Sequence, residues 1–197
     1  MKKAKFIINN KIMKNENLSD KIKNFSFINK SKFFNCDFSK TLFKESQIFE
    51  VEFENCNLNK VNFQSCTFKD VKFINCNLDE SIYNSSTFQN LEINKSSCKA
   101  LQARGTLFKN TNFFQNEFYN CDLNRSIFES GKFTNLNFKK CKMFMFFCYK
   151  ISMEKVNFEE SNLTLAKLIN CQKIDSYFNK NNKMLCFFEK NDMRFDQ

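Results

Sequence analysis

Apolar residues return along this chain at every fifth position, and the register does not slip. From Ile28 to Leu168 the residues whose numbers end in 3 or 8 run Ile28, Phe33, Phe38, Phe43, Ile48, Phe53 and onward. Of these 29 positions, 26 are large and apolar, and they hold 15 of the 28 Phe in the chain. Two residues earlier, at numbers ending in 1 or 6, 23 of 29 positions are Ala, Cys, Gly, Ser, Thr or Val. The other three positions of each pentad are mostly Asn, Lys, Glu, Asp, Gln and Ser. A period of five suits neither regular element. Five helical steps rotate a side chain by about 500°, which smears the apolar positions around the cylinder. A strand would change face at each repeat. The chain must turn once per pentad, so that one large and one small side chain point inward each time. Four such turns close a square coil of about twenty residues, and stacked coils pair edge to edge at about 4.8 Å.

This pattern resembles the pentapeptide-repeat family over residues 26–170, with Cys36-Asp37-Phe38, Cys56-Asn57-Leu58, Cys66-Thr67-Phe68 and Cys76-Asn77-Leu78 close to the family consensus. The resemblance implies an all-β, right-handed quadrilateral β-helix. The 29 pentads make about seven coils, a rod about 35 Å long at strand spacing. Residues 1–25 are then expected to be a basic N-terminal capping segment and 171–197 a C-terminal capping or dimerisation tail, because an open coil end exposes core and sheet edge.

The match weakens in three places. Between 91 and 103 the small slots hold Leu91 and Leu101 while the large ones hold Cys98 and Ala103, which predicts a distorted coil. Asn116 occupies an inward slot and needs partners for its amide. From 136 to 151 the small slots read Leu136, Cys141, Phe146 and Ile151, so either the coil swells or the register shifts.

Residues twenty apart stack in columns. Cys36, Cys56 and Cys76 form one column, and Cys121 and Cys141 part of another. A thiol is small, apolar and suited to burial. With no His and no CxxC pair, no metal site is expected. Parallel inward side chains are poorly angled for disulfides. These are read as reduced packing cysteines, which fits a cytoplasmic location.

Most outward positions are polar, as an exposed sheet face requires, and a few are not. Leu107, Ile127 and Phe147 form an apolar column over three coils. Phe144, Met145 and Tyr149 point outward beside it. A contiguous patch of this kind marks an interface, and Leu107, Ile127, Phe144, Met145, Phe147 and Tyr149 are the candidate partner-interface residues. The competing reading has the C-terminal tail, with Tyr177, Leu185 and Phe187, folding over the patch.

Composition narrows the chemistry. The chain has 197 residues with no His, no Pro, no Trp and two Gly. Without His the commonest general base is missing, and two Gly cannot build a phosphate loop. No carboxylate cluster has a spacing that demands a shared site. No catalytic residue and no cofactor is predicted, and the chain is read as non-catalytic. Net charge is +10, and half of it lies in residues 1–25, a solubilising tail or a nucleic-acid contact. The apolar stretch Phe6-Ile7-Ile8 is too short for a signal segment, and no run reaches membrane-span length.

Within the family, the Cys/Phe-rich early repeats and the segments Lys140–Phe144 and Asn157–Leu163 look most similar to the quinolone-resistance and microcin-immunity branch. That likeness implies a rod that imitates duplex DNA, binds a type II topoisomerase (DNA gyrase or topoisomerase IV), and forms a homodimer. DNA mimicry calls for an acidic surface, whereas residues 26–170 carry +4. The leading expectation is therefore protein–protein binding with an unnamed partner, with topoisomerase protection as the alternative. Direct nucleic-acid binding is disfavoured, because the Lys of the repeats alternate with Glu and Asp.

Overall fold

The structure, a computed structural model, describes residues 6–179 and 187–189. It is an all-β parallel solenoid of about nine turns, with no helix among the described residues. Each turn takes twenty residues and has four faces. The first face carries the large residues Ile8, Ile28, Ile48 and Phe68. The second carries Met13, Phe33, Phe53 and Phe73, the third Leu18, Phe38, Leu58 and Leu78, and the fourth Lys23, Phe43, Phe63 and Tyr83.

The first two faces merge into continuous strands, Ser26–Phe34, Gln47–Glu54, Thr67–Ile74, Thr87–Asn94 and Leu107–Phe114. Each pairs in parallel with the next at an offset of twenty residues, so that Phe33, Phe53 and Phe73 are direct neighbours. The third and fourth faces are tighter. They are single bridges such as Asp37 to Asn57 and Leu42 to Asn62, separated by turns. Asn or Asp before the large residue forms many of those turns. The side-chain oxygens of Asp37, Asn57 and Asn77 accept the backbone N–H two residues on, at 2.8, 3.2 and 3.0 Å.

Every corner uses the same backbone device. Each residue whose number ends in 0 or 5, from Asn10 to Asp175, has a positive φ of the left-handed kind. Such a conformation suits Gly and Asn best, yet Gly105 is the only Gly at these corners. Asn recurs there instead, at 10, 15, 35, 55, 75, 90, 110, 120, 135 and 170. Side-chain amides then link one coil to the next, as from Asn75 to Asn55 at 2.6 Å and from Asn110 to Asn90 at 2.8 Å.

Inside, rings stack along the axis. Phe33, Phe53 and Phe73 stand 5.1 Å apart and nearly parallel. Phe113 and Phe133 continue that column at 5.3 Å after Ile93. The small slots do more than leave room. Several of the Ser, Thr, Cys and Asn side chains there donate to a carbonyl of the coil before them. Cys76 Sγ reaches Phe53 O at 3.3 Å, Ser86 Oγ reaches Phe63 O at 2.7 Å, and Ser161 Oγ reaches Phe138 O at 3.1 Å. Asn116 follows the same rule: its Nδ2 donates to Ile93 O at 2.6 Å and its Oδ1 accepts Ser96 N–H at 2.9 Å. The buried amide is satisfied.

The weak stretches keep their register. Leu91, Leu101, Cys98 and Ala103 are all buried, and so are Leu136, Cys141, Phe146 and Ile151. A large residue in the small slot is compensated by a smaller neighbour, as Phe146 is by Cys148. One backbone adjustment stands out. Gly131 sits in a small slot with φ 131°, and a Cβ there would lie 2.0 Å from Thr111 O.

The coil count differs from the sequence expectation. The seven coils over 26–170 are the middle of a longer stack. Phe6–Asn9 pairs with Ser26–Asn29, and Ile12–Lys14 with Lys32–Phe34. Beyond 170, Gln172–Ile174, Tyr177–Asn179 and Phe187–Glu189 pair with the coil before them. The reason for the shortfall is visible in the first turn. Ile8, Met13 and Leu18 keep the large register, but Phe6, Lys11, Glu16 and Lys21 fill the small slots. An end coil has a neighbour on one side only, so these slots need not be small. Lys23, in a large slot, lays its ammonium 3.8 Å from the centre of the Phe6 ring.

Candidate interaction surface

The outer columns inherit the twenty-residue offset, so identical charges would lie directly opposite one another. Like charges so placed repel. The chain alternates them. Lys32 meets Glu52 at 3.4 Å and Lys72 meets Glu92 at 3.1 Å in one column. Lys60–Glu80, Lys109–Glu129 and Lys139–Glu159 repeat the device on other faces at 3.5, 3.2 and 3.1 Å. The hydrogen bond to Glu159 holds the Lys139 ammonium charged to higher pH than usual. The surface is therefore a mosaic of short-range ion pairs, each worth little alone.

The candidate patch interrupts that mosaic. Leu107, Ile127 and Phe147 are successive rungs of one column on the first face, followed by Lys167. Ile127 is 40% exposed, while Leu107 and Phe147 are half-buried. Around the corner lie Phe144, half-buried, and Met145, 44% exposed. Met145 and Leu165 take the left-handed corner conformation, φ 54° and 58°, at positions where Asn is the cheaper residue. Met145, Phe146, Phe147, Leu165 and Lys167 line an open apolar hollow of about 400 Å³. Leu165, absent from the sequence-based set, belongs to this surface. Its signal was an apolar residue at a corner position.

Tyr149 separates from the rest. It lines a second, polar hollow of about 320 Å³ with Gln89, Asn90, Lys109, Asn110, Glu129, Ser130 and Lys150. The Lys150 ammonium lies 4.9 Å from its ring centre. Of the tail residues expected to compete for the patch, Leu185 lies outside the described residues and Phe187 is described by its backbone only. Tyr177 pairs with Asn157 on the third face.

Among the described residues, nine cysteines are free and buried. Burial pushes the Cys36, Cys98, Cys148 and Cys171 thiols up, and that of Cys66 to about 12. Among the described residues no group of three or more His, Cys, Asp or Glu is placed to hold a metal ion, and no helix is long and apolar enough to cross a membrane.

Residues 26–103 match the family model for the pentapeptide repeat region. No curated protein matches the chain in sequence. Among solved structures, the full-length plasmid-mediated fluoroquinolone resistance protein QnrB1 is 15% identical, with 89% of this chain and 92% of that one covered and a TM-score of 0.49. HetL, a pentapeptide repeat protein involved in heterocyst differentiation regulation from the cyanobacterium Nostoc sp. strain PCC 7120, is 11% identical over 94% of this chain and 88% of its own, with a TM-score of 0.28. Residues 26–103 thus carry the pentapeptide repeat, and the chain has the pentapeptide repeat fold.

Proposed function

We propose that this solenoid is a non-catalytic protein-binding rod whose contact surface is the apolar strip around Phe147. The observation that carries the reading is the break in surface chemistry. Beside columns that pair Lys with Glu, Lys109–Glu129 on the same face among them, the Leu107–Ile127–Phe147 column with Phe144, Met145 and Leu165 leaves apolar side chains outward. A rigid core of stacked rings positions them without adjustment on binding, which lowers the entropic cost of association. Aromatic side chains of this size serve as anchors of such contacts.

The alternative reading, a DNA-like rod that protects a type II topoisomerase, needs one long acidic face. The alternating Lys–Glu columns supply a mixed surface instead, which favours the general binding reading. Affinity capture with the native chain and with Phe147→Lys tests it. The expected result is a protein retained by the native chain whose purified form binds at least about tenfold more weakly to the variant. A folded variant that keeps every association overturns the reading. Purified DNA gyrase in the same assay, competed by duplex DNA, tests the alternative.

A further inference from the structure

The net charge of the repeats is concentrated around the apolar strip. Residues 26–170 hold nineteen basic and fifteen acidic side chains. The outward and corner positions of the edge between the fourth and first faces, over 102–110, 122–130, 142–150 and 162–170, hold six of the basic ones, Arg104, Lys109, Arg125, Lys142, Lys150 and Lys167. They hold two acids, Asp122 and Glu129. The thirteen basic and thirteen acidic residues elsewhere in the repeats balance, so the whole +4 lies in this window. The same positions over the four preceding coils carry Lys30, Lys44 and Lys69 against Glu45, Glu50 and Asp70. Both acids of the window are already engaged: Asp122 faces Arg104 at 3.7 Å and Glu129 faces Lys109 at 3.2 Å. The other four cations are exposed and surround the strip. Phe144, Met145 and Phe147 lie on one coil between Lys142 and Lys150. Arg125 stands one rung below Met145 and Lys167 one rung above Phe147, each about 4.8 Å away along the axis. Arg125, Lys142 and Lys150 have no ion pair among the described residues, and Lys150 rests against the Tyr149 ring. Cations gathered without counter-ions repel one another, a cost that an anionic ligand relieves.

We propose that this surface takes an acidic, amphipathic segment of a partner protein, with one large apolar side chain in the hollow beside Phe147 and Asp or Glu on either side of it meeting the ring of cations. The inference rests on the reading of the Phe147 strip as a contact surface, and it names the chemistry of what the strip holds. Charge complementarity selects the carboxylates. The hollow of about 400 Å³ between Met145, Phe147 and Leu165 selects the apolar side chain between them. A duplex nucleic acid would match the cations but would set phosphates over Phe147 and Met145, where nothing replaces their hydration. A flat anionic bilayer surface would leave the hollow unfilled.

Selection from a displayed library of random short peptides, with the full chain as bait, tests the inference. The native chain is expected to enrich peptides in which Phe, Leu or Trp is flanked by Asp or Glu. A synthetic peptide of that kind should bind at least about tenfold more weakly to the double variant Arg125→Glu, Lys150→Glu, and its binding to the native chain should weaken as salt rises. Both changes place Glu at corners, where Glu45, Glu80 and Glu160 already take the left-handed conformation, so the coils stay folded. A second selection on the double variant should favour Lys or Arg in place of the acids and keep the apolar residue. A native selection without acidic bias overturns the inference, as does a double variant that keeps the native preference. Retention of the native chain on phosphatidylserine vesicles or duplex DNA, with no acidic peptide enriched, overturns it as well. Phe147→Lys separates this failure from that of the broader reading. If the inference falls while whatever the native chain binds still requires Phe147, the binding-rod reading survives and only the acidic partner is lost.

Discussion

The coils around Phe33, Phe53 and Phe73 and those around Ile127, Phe147 and Lys167 share one backbone and differ in which side of it is irregular. In the early coils the interior follows rule and the exterior does for the most part, with Phe27, Phe34 and Phe49 half-buried at outward positions. Phe rings stack inside at 5.1 Å, Cys36, Cys56 and Cys76 fill the small slots, and Lys32–Glu52 and Lys72–Glu92 neutralise each other outside. In the late coils the interior breaks the rule without consequence for burial: Phe146 fills a small slot and Met143 and Cys148 fill large ones, all with no exposed surface. The exterior breaks it too, and there nothing compensates, because Ile127 and Met145 remain 40% and 44% exposed. The inward code tolerates exchange of volume between neighbours, since a core needs filling and not identity. The outward code has no such tolerance, so its breaks carry the information about function.

The sharpest test of that contrast sets one Phe of each kind side by side. Phe53→Ala empties a site flanked by rings at 5.1 Å on both sides and should cost about 3–5 kcal/mol. Phe147→Lys replaces a half-buried outward residue with the type found one rung later, Lys167, and should cost under about 1 kcal/mol. Urea unfolding of both variants checks this. Equal losses would show that Phe147 is core and that inner and outer codes are not separable there.

Most of the fold could be read from the five-residue register, because inward slots are filled or refused on size alone. The stretches that looked doubtful were those where size was exchanged between slots, Leu91 against Cys98 and Phe146 against Cys148. A position-by-position reading cannot see that two deviations cancel. The end coils were missed because Lys11, Glu16 and Lys21 sit where one side of the slot is open. The partners of Asn116 could not be read either, since Ile93 O and Ser96 N–H are brought to it only by stacking. The corner conformation had a signal in the Asn residues at numbers ending in 0 and 5. Of the proposed contact surface, Leu107, Ile127, Phe144, Met145 and Phe147 are outward residues, while Tyr149 faces a different hollow, because two residues along a strand carry it toward the next corner.

A second comparison uses the two Gly. Gly131 lets the late coils approach Thr111, and a Cβ there would meet backbone at 2.0, 2.7 and 2.8 Å. Gly105 sits at a corner with open space around it. Gly131→Ala should therefore destabilise by about 1–3 kcal/mol, because neither strand can move without breaking its pairing. Gly105→Asn, which installs the residue favoured at other corners, should change stability by less than about 0.5 kcal/mol. Thermal melts of the pair distinguish the two, and a tolerated Gly131→Ala would mean that the late coils are free to spread.

The thiols make stability depend on pH, and they are densest in the early coils. The small slots there hold Cys36, Cys56, Cys66 and Cys76, whereas the later ones mix Cys121, Cys141 and Cys171 with Leu136, Phe146, Val156, Ser161 and Ala166. Burial raises Cys66 from 9.0 to about 12. Below pH 9 both the folded and the unfolded chain hold the proton, and the full stability is present. Between 9 and 12 the unfolded chain releases it while the folded chain does not. Stability therefore falls as pH rises through that window, by up to about 1.4 kcal/mol per pH unit for this thiol. Denaturant midpoints measured from pH 8 to 11 should drop, and Cys66→Ser should make the drop shallower. Reaction of native Cys66 with a thiol reagent at the rate of an exposed cysteine would contradict the burial on which this rests.

Tyr83 gives the smallest effect and the most local test of the inward code. It occupies a Phe slot of the fourth face, stacked on Phe63 with ring centres 5.6 Å apart and edge-on to Phe68 at 6.0 Å. It is 4% exposed, and its hydroxyl is buried with no hydrogen-bond partner among the described residues. Burial pushes its phenol well above the usual tyrosine value. A hydroxyl left unsatisfied in a core forfeits the hydrogen bonds it made to water, whereas the ring contributes its stacking with or without it. Tyr83→Phe removes the first and keeps the second, and it restores the residue found at Phe43 and Phe63 in the same column. The variant should be more stable than the native chain by about 1 kcal/mol, with surface and associations unchanged. Denaturant unfolding reads the difference directly. A loss of stability would show that the hydroxyl has a partner that the stacked rings admit, and that the slot is not one that any large apolar ring fills equally well.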